Sequence, residues 1–481
     1  MNRFYGEYIG VDIGSVNSLG AFMDGIAKQV FCSLNPEGGF LVPSCVQFET
    51  ADKYVVGKVA KETAVLAPSR TVEDFKKNTG KNIVEIEIEG KKFYTRDIWA
   101  ILLERVVRMA EEELETKIKG VVLPVPVSFG DAARQDVINA GKKIGLEKIV
   151  LVEESTISLY YYSTIKDLKG KVCMLDLGGC TFDITVANVS KDVIDILHVD
   201  GDGQCGGRDF DQCFLEYIKE KFLKGKTLSE YDEYLLKENV EKAKHALSNK
   251  AKTRILIHTD EGNQSEVLTR EDFEECTKLL MNRLKAKLLP LKDMKIEKIF
   301  FVGGATKMPQ FRKMVEEVLP GITIISKNPE EAVARGAAVY AQMLYDGEKV
   351  HKVRRLQNIS AHSYGIVAQL GTNGEKKVCH LIKKGMSLPV KMDKVFYTGE
   401  ENQKNVNLKV YEGDSCENFS KLESESYLGT ACMEMKGNLP KYTKIVASLK
   451  LDENGILLVE GIEPQTNCFV KVTMDTGGKA V

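Results

Sequence analysis

The sequence predicts a duplicated α/β unit with a cleft between its halves, followed by an all-β sandwich. Three observations carry this. Residues 8–24 read YIGVDIGSVNSLGAFMD and residues 172–188 read VCMLDLGGCTFDITVAN, two copies of one pattern: an apolar run, an Asp-x-Gly turn and a second strand-like run. Each copy reads as a β-hairpin closed by a tight glycine turn, and the echo between them implies an internal duplication. Beyond residue 358 the chain is dominated by segments with period-two alternation, the mark of antiparallel strands.

The elements follow in order. VVLPVPVSFG (121–130) is a buried strand leaving through a proline-marked loop. A helix from Asp131 to Gly145 follows, with Asp131 as its expected cap and the glycine as its stop. IVLVEE (149–154) is a strand ending in carboxylates, and a helix runs on through Tyr160–Tyr162. Residues 227–250 form a polar helix containing EKAKHALS, and IFFVGG (299–304) is a strand entering a glycine turn. FRKMVEEV (311–318) and PEEAVARGAAVYAQML (329–344) are helical, the second with small residues along one face. The polar, basic stretch 346–358 reads as a linker between a first domain, 1–345, and a β-sandwich, 359–481. In that last domain NVNLKVYE, KIVASLKL, ILLVEGI and CFVKVTM are strands, and Asp452–Gly455 is the turn between two of them.

Composition narrows the function classes. The 67 basic and 69 acidic residues nearly cancel, so no overall field favours nucleic acid or a membrane surface. The N-terminus lacks a basic segment followed by an apolar run, and no apolar stretch is long enough to span a bilayer. The 11 cysteines are odd in number, scattered and without a CxxC, which argues against a disulfide framework or zinc site and for reduced thiols in the cytoplasm.

The glycine turns carry the chemistry. Such turns expose backbone N–H groups that can surround phosphate oxygens, with Ser15 and Thr181 adding hydroxyls. Asp12 and Asp176 would repel bare phosphate, so they imply a bridging cation, and magnesium suits because it keeps waters and takes few carboxylates. With the GGA turn at 303–305, the pattern points to a nucleotide cleft.

DIGSVNS, DLGGCTFD, GDGQCGGRDFD (201–211), FVGGATKMP (301–309) and NPEEAVARGAA (328–338) together resemble the seventy-kilodalton heat-shock chaperone family of the DnaK type. LIKKGMSLP (381–389) and VFYTGEENQKNVNLKVYEGD (395–414) resemble its substrate-binding β-domain. The resemblance implies an actin-like, ribonuclease-H-like ATPase domain that uses ATP or ADP with magnesium, and potassium as a further candidate. It implies unfolded or extended polypeptide clients, a J-domain co-chaperone, a nucleotide exchange factor and a stress-response role.

The same resemblance assigns roles to residues. Asp12, Gly14, Ser15 and Val16 match the first phosphate loop; Asp176, Gly178, Gly179, Cys180 and Thr181 match the second. Lys76 matches a lysine that reaches the transferred phosphate, and Glu154 and Asp183 match carboxylates that place magnesium waters and the attacking water. Catalysis would thus rest on Lys76, Glu154, Asp176 and Thr181, and metal placement on Asp12, Asp176 and Asp183. Gly206 and Gly207 fall in the matching glycine block; Glu241, Lys244 and Ser248 match the helix holding adenine and ribose, and Gly303, Gly304 and Lys307 the opposite wall. Pro126 and Arg134 match residues that transmit nucleotide state toward the second domain. Val378, Phe396 and Val406 fall near the peptide-lining positions, where an extended segment would be held by backbone hydrogen bonds and apolar pockets.

Four departures from the family pattern stand out. Cys180 replaces a glycine and could crowd phosphate; Lys307 replaces an arginine that stacks on adenine. The linker HKVRRLQNIS is basic and poor in leucine, which puts coupling between domains in question. A helical lid after the β-domain is not found, so bound peptide would leave faster. Rival readings are a small-molecule kinase of the same fold, a nucleotide-sensing binding scaffold with weak ATPase activity, and an actin-like filament protein.

Overall fold

The computed structural model describes residues 6–24, 29–165, 168–259, 262–346, 355–370, 374–436 and 439–474. Two six-stranded sheets form the first part of the chain and repeat one plan. In the first, the hairpin Tyr8–Ile13/Asn17–Met23 is antiparallel, and Tyr8–Ile13 also pairs in parallel with Gly120–Val125, which pairs in parallel with Lys148–Glu153. In the second, the hairpin Gly170–Leu177/Phe182–Val189 is antiparallel, and Gly170–Leu177 pairs in parallel with Lys298–Val302, which pairs in parallel with Thr323–Ile325. The echo in the sequence is therefore a duplication of sheet topology. Strands buried on both faces read as continuous apolar runs, which is why Gly120–Val125 is buried throughout.

The helix Ala332–Asp346 joins the two halves. It packs on Tyr8–Ile13 and Asn17–Met23 on one side and on the helix Glu154–Ile165 on the other. Its small residues permit that approach. A Cβ on Gly336 would lie 2.0 Å from the Ile157 carbonyl oxygen, and one on Gly10 would lie 2.2 Å from the Ala338 nitrogen.

The β-half, from Ser363 onward, has its own apolar core, including Ile366, Val410, Leu449 and Val459. A five-stranded sheet and a four-stranded sheet enclose it. The alternation in KIVASLKL is expressed directly: Ile445, Ala447, Leu449 and Leu451 face inward.

Two expectations are corrected. Residues 347–354 of the linker lie outside the described residues, but 355–357 are not a solvated spacer. Arg355–Gln357 is an edge strand of the second sheet, parallel to Val193–Asp202, and Ile359 and Ala361 are buried in the core below that sheet. Leu356 supplies enough apolar surface to pack there despite the basic neighbours. Asp131 does not cap its helix. Gly130 occupies the cap position, and the Asp131 carboxylate instead accepts the Leu457 N–H of the β-half at 2.8 Å.

Gly336→Ala should destabilise the fold by about 3 kcal/mol, because overpacked cores shift backbone at that order of cost. Denaturant unfolding compared with Ala341→Gly, a change that adds no volume, would check it.

Candidate functional site

The two glycine hairpins meet across the cleft. A Cβ on Gly179 would lie 2.8 Å from Val16 Cγ2 and 3.2 Å from Ser15 Cβ, so only glycine lets the second loop approach the first so closely. Gly14 is confined by the Asn17 carbonyl oxygen, 2.3 Å from where its Cβ would stand. Ser44 Oγ donates to the Gly14 carbonyl at 2.6 Å and fixes that turn from behind. In the second loop Gly178 N–H donates to Thr181 O at 3.0 Å. The helix Gly207–Phe222 begins on this loop: Gly207 N–H donates to Gly178 O at 2.9 Å and Arg208 N–H to Gly179 O at 2.7 Å. Gly303 completes the wall with φ +79° and no room for a side chain against the Leu177 carbonyl.

These loops line a cavity of about 650 Å³ between the halves. Asp12, Gly14, Ser15, Val16, Gly178, Gly179 and Thr181 line one end with Lys76, Glu154 and Asp176. Gly207, Glu241, Lys244, Ser248, Gly303, Gly304 and Lys307 line the other. Three residues named from the sequence stand back from it. Asp183 is fully buried behind Asp176, its register partner across the hairpin. Gly206 lies against the Cys180 backbone, where a Cβ would come within 2.4 Å. Cys180 is 1% exposed and takes a hydrogen bond from Ser15, so its side chain does not crowd the cavity.

The electrostatics are lopsided. Lys76 Nζ donates to Glu154 Oε1 at 2.5 Å and to the Ile13 carbonyl at 2.9 Å, with the amine over the Trp99 ring. Burial alone would lower the Lys76 pKa; Glu154 and Asp12 override it and hold the amine charged. Four carboxylates face this one amine. Burial and then Glu154 push Asp12 up to about 7, with Lys76 pulling the other way. Burial and Glu154 push Asp183 up to about 8, opposed by the Val127 N–H it accepts at 2.8 Å. Asp176 rises well above the usual range from burial and from Glu154, Asp183 and Asp12. Asp183 Oδ2 is buried with no hydrogen-bond partner. This excess of buried negative charge fits a divalent cation. Among the described residues no three His, Cys, Asp or Glu side chains cluster tightly enough to hold an ion directly.

At the far end, sequence reasoning missed several lining residues. His245 and Asn249 follow Lys244 and Ser248 on the helix Glu230–Asn249 and share their face by helical spacing, a signal that could have found them. Arg208 and Asp211 lie i, i+3 within GGRDFD. Lys244 Nζ donates to Asp211 at 2.7 Å and to Gly207 O at 3.0 Å. Burial and the neighbouring Lys244 lower the His245 pKa, so its ring is neutral at physiological pH. Lys307 pairs with Glu330 at 2.6 Å on the exposed rim. Ion pairs close the cleft: Arg208 holds Asp74 at 2.9 Å and Glu241 at 2.8 Å, Lys61 holds Glu73 at 2.8 Å and Glu238 at 2.5 Å, and Lys77 holds Asp209 at 2.5 Å.

A buried path leads from the cavity to the β-half. Asp183 holds the Val127 N–H, and the Pro126 carbonyl accepts from Phe129 N–H at 3.0 Å. The Phe129 carbonyl accepts from Arg134 Nε at 2.9 Å. Arg134 also donates to Glu153 at 3.0 Å and to the Asn454 carbonyl at 2.9 Å, while Asn454 Oδ1 accepts from Leu151 N–H at 3.0 Å. The turn Asp452–Gly455, expected only as a hairpin connection, is thus the docking tip of the β-half. The three peptide-lining candidates lie on three strands of the β-half, Glu375–Ile382, Val390–Tyr397 and Asn405–Gly413. Val378 and Val406 are buried, and Val406 with the half-buried Phe396 belongs to the core of the β-half.

A duplicated α/β fold whose two glycine hairpins converge on one acidic, lysine-bearing cavity defines a phosphate-binding cleft protein, here joined to a β-sandwich. A family model described as Hsp70 protein matches residues 8–83 and 78–480. The chain belongs to the Hsp70 family, whose members are chaperones with ATPase activity that bind nucleotide with magnesium, client polypeptides and co-chaperones. Among the described residues no helix is long and apolar enough to cross a membrane.

The raised carboxylates set a pH dependence. Between the unfolded carboxylate value and about 8 the folded state binds more protons than the unfolded one, so stability falls as pH rises through this window. Cation binding displaces those protons. The thermal shift given by magnesium ADP should therefore grow from pH 6 to pH 8 while the ligand-free midpoint falls; scanning calorimetry at both pH values would check it.

Proposed function

We propose that this chain is an ATP-driven chaperone in which hydrolysis in the cleft switches the affinity of the β-half for extended apolar segments of unfolded proteins. The observation that carries the reading is the Arg134 junction. One guanidinium bonds the loop behind Asp183, the carboxylate of Glu153 beside Glu154, and the backbone of the β-half turn at Asn454. A change at the phosphate end therefore has a short covalent and hydrogen-bonded route to the β-half, which is what coupling between two sites requires.

In this reading ATP lies with its phosphates against the loops of Gly14 and Gly179 and its base between the helix of His245 and the turn of Gly304. Asp12, Asp176 and Asp183 would hold magnesium, which supplies neutralisation of the charge that develops on the phosphate oxygens. Lys76 Nζ, held by Glu154 and Ile13 O, adds a second positive charge. Glu154 and Thr181 orient a water for in-line attack. Phosphoryl transfer asks for positioning and charge stabilisation rather than covalent help, and these residues supply both. Lys307 gives the base a weaker contact than the stacking arginine it replaces would.

The test is single-turnover ATP hydrolysis with and without an extended apolar peptide. Peptide should accelerate hydrolysis; a slow rate indifferent to peptide would overturn the coupling and leave a nucleotide-gated scaffold. Lys76→Ala should lower the single-turnover rate by about 100-fold or more, on the scale of removing one preorganised charge from a transition state. Asn454→Ala should keep the peptide-free rate and lose most of the peptide stimulation, because it removes the acceptor for Leu151 N–H without touching the cleft.

A further inference from the structure

We infer that Cys213 and Cys276 form a redox-active thiol pair, closing into a disulfide on reaction with a small-molecule disulfide and thereby tying the helix Gly207–Phe222 to the helix Arg270–Cys276. The inference is independent of the nucleotide reading.

The two helices are in register through four contacts. The Phe273 ring lies edge-on to Phe214 at 5.1 Å and beside Phe210 at 6.3 Å. The Tyr217 hydroxyl donates to the Asp272 carboxylate, and Lys221 Nζ donates to the same group at 3.0 Å. Cys213 stands one turn before Tyr217, and Cys276 one turn after Asp272. Residues four apart share a helix face, so the next rung beyond the Tyr217–Asp272 contact carries a thiol from each helix. Both cysteines pack at the margin of the same apolar core.

Accessibility singles out this pair. Cys213 and Cys276 are half-buried, whereas Cys32, Cys45, Cys173, Cys180, Cys205, Cys379 and Cys468 are buried and the exposed Cys416 and Cys432 belong to the β-half. Burial raises the thiol pKa of both. For Cys276 the next cause after burial is Cys213 itself, and together they push it up to about 12. The influence runs from Cys213 on Cys276 and agrees with the proximity that the facing helix contacts give. Cys213, less strongly held protonated, attacks first. Its thiolate attacks one sulfur of the disulfide RSSR and expels RS⁻. Cys276, which donates to the Phe273 carbonyl at 3.3 Å, turns from that acceptor, gives its proton to the expelled RS⁻ and attacks Cys213 Sγ, expelling the second RS⁻. The two protein thiols lose two electrons in forming one S–S bond, and RSSR gains them as two RSH.

The bond would connect parts that matter to the cavity. The first helix starts on the second phosphate loop through Gly207 and Arg208. The second is capped by Thr269 at the end of the paired strands Lys252–Thr259 and Gly262–Thr269. A covalent tie removes freedom between them.

The experiment incubates the full-length protein with oxidised glutathione, alkylates the remaining thiols and maps peptides by mass spectrometry. The expected result is the loss of two alkylatable thiols, a linked Cys213–Cys276 peptide, and recovery of both thiols with dithiothreitol. Cys276→Ser should stop at one glutathione on position 213. Free thiols at both positions, or a link joining either residue to another cysteine, would overturn the inference. The wild-type peptide map decides the question even if the variant fails to fold.

Discussion

The structure turns on an unequal charge count at the bottom of the cleft. Asp176, Asp183 and Glu154 are buried, and Asp12 half-buried, around a single amine, Lys76. Taking such charges from water is costly, and one ion pair does not offset four carboxylates. Burial and the neighbouring Glu154 raise Asp12 and Asp183, so these carboxyls keep their protons to higher pH than exposed ones. Those protons are exchangeable for a cation. The lining fits positive charge brought by a ligand, and the ion pairs of Lys61, Lys77 and Arg208 tie the two halves together across the cleft.

How much of this was legible in the sequence depends on the range of the interaction. The two hairpins were readable because a turn is a local event: Asp-x-Gly with flanking apolar runs determines its own geometry, and repetition exposes duplication. The alternating strands of the β-half were readable for the same reason. Contacts made across the cleft were not. Nothing in GGRDFD says that Arg208 will reach Asp74, more than a hundred positions away, nor that Asp131 will abandon the cap of its own helix to bind Leu457 N–H. The burial of Val378 and Val406 was not readable either, because an alternating strand does not declare how closely each of its faces is covered.

The edge strand Arg355–Gln357 shows composition and structure parting company. Its surroundings are basic and polar, which reads as a spacer. An edge strand, however, needs only backbone hydrogen bonds on one side and one side chain to bury, and Leu356 suffices. Docking of this strand brings Asn358 within 2.5 Å of Glu153, so the connection between domains ends on the same carboxylate that Arg134 holds.

That shared carboxylate gives the interface its character. A buried ion pair contributes little net stability against an apolar replacement, yet breaking one partner away strands the other and costs about 3–5 kcal/mol. Glu153 is bonded by Arg134 from one side and Asn358 from the other, and it adjoins Glu154, which holds Lys76. Any rearrangement that draws Glu154 toward a phosphate must move Glu153 by way of the backbone. The docked β-half is thus held by bonds made one residue from Glu154 in the cleft, with Arg134, Glu153 and Asn358 all satisfied.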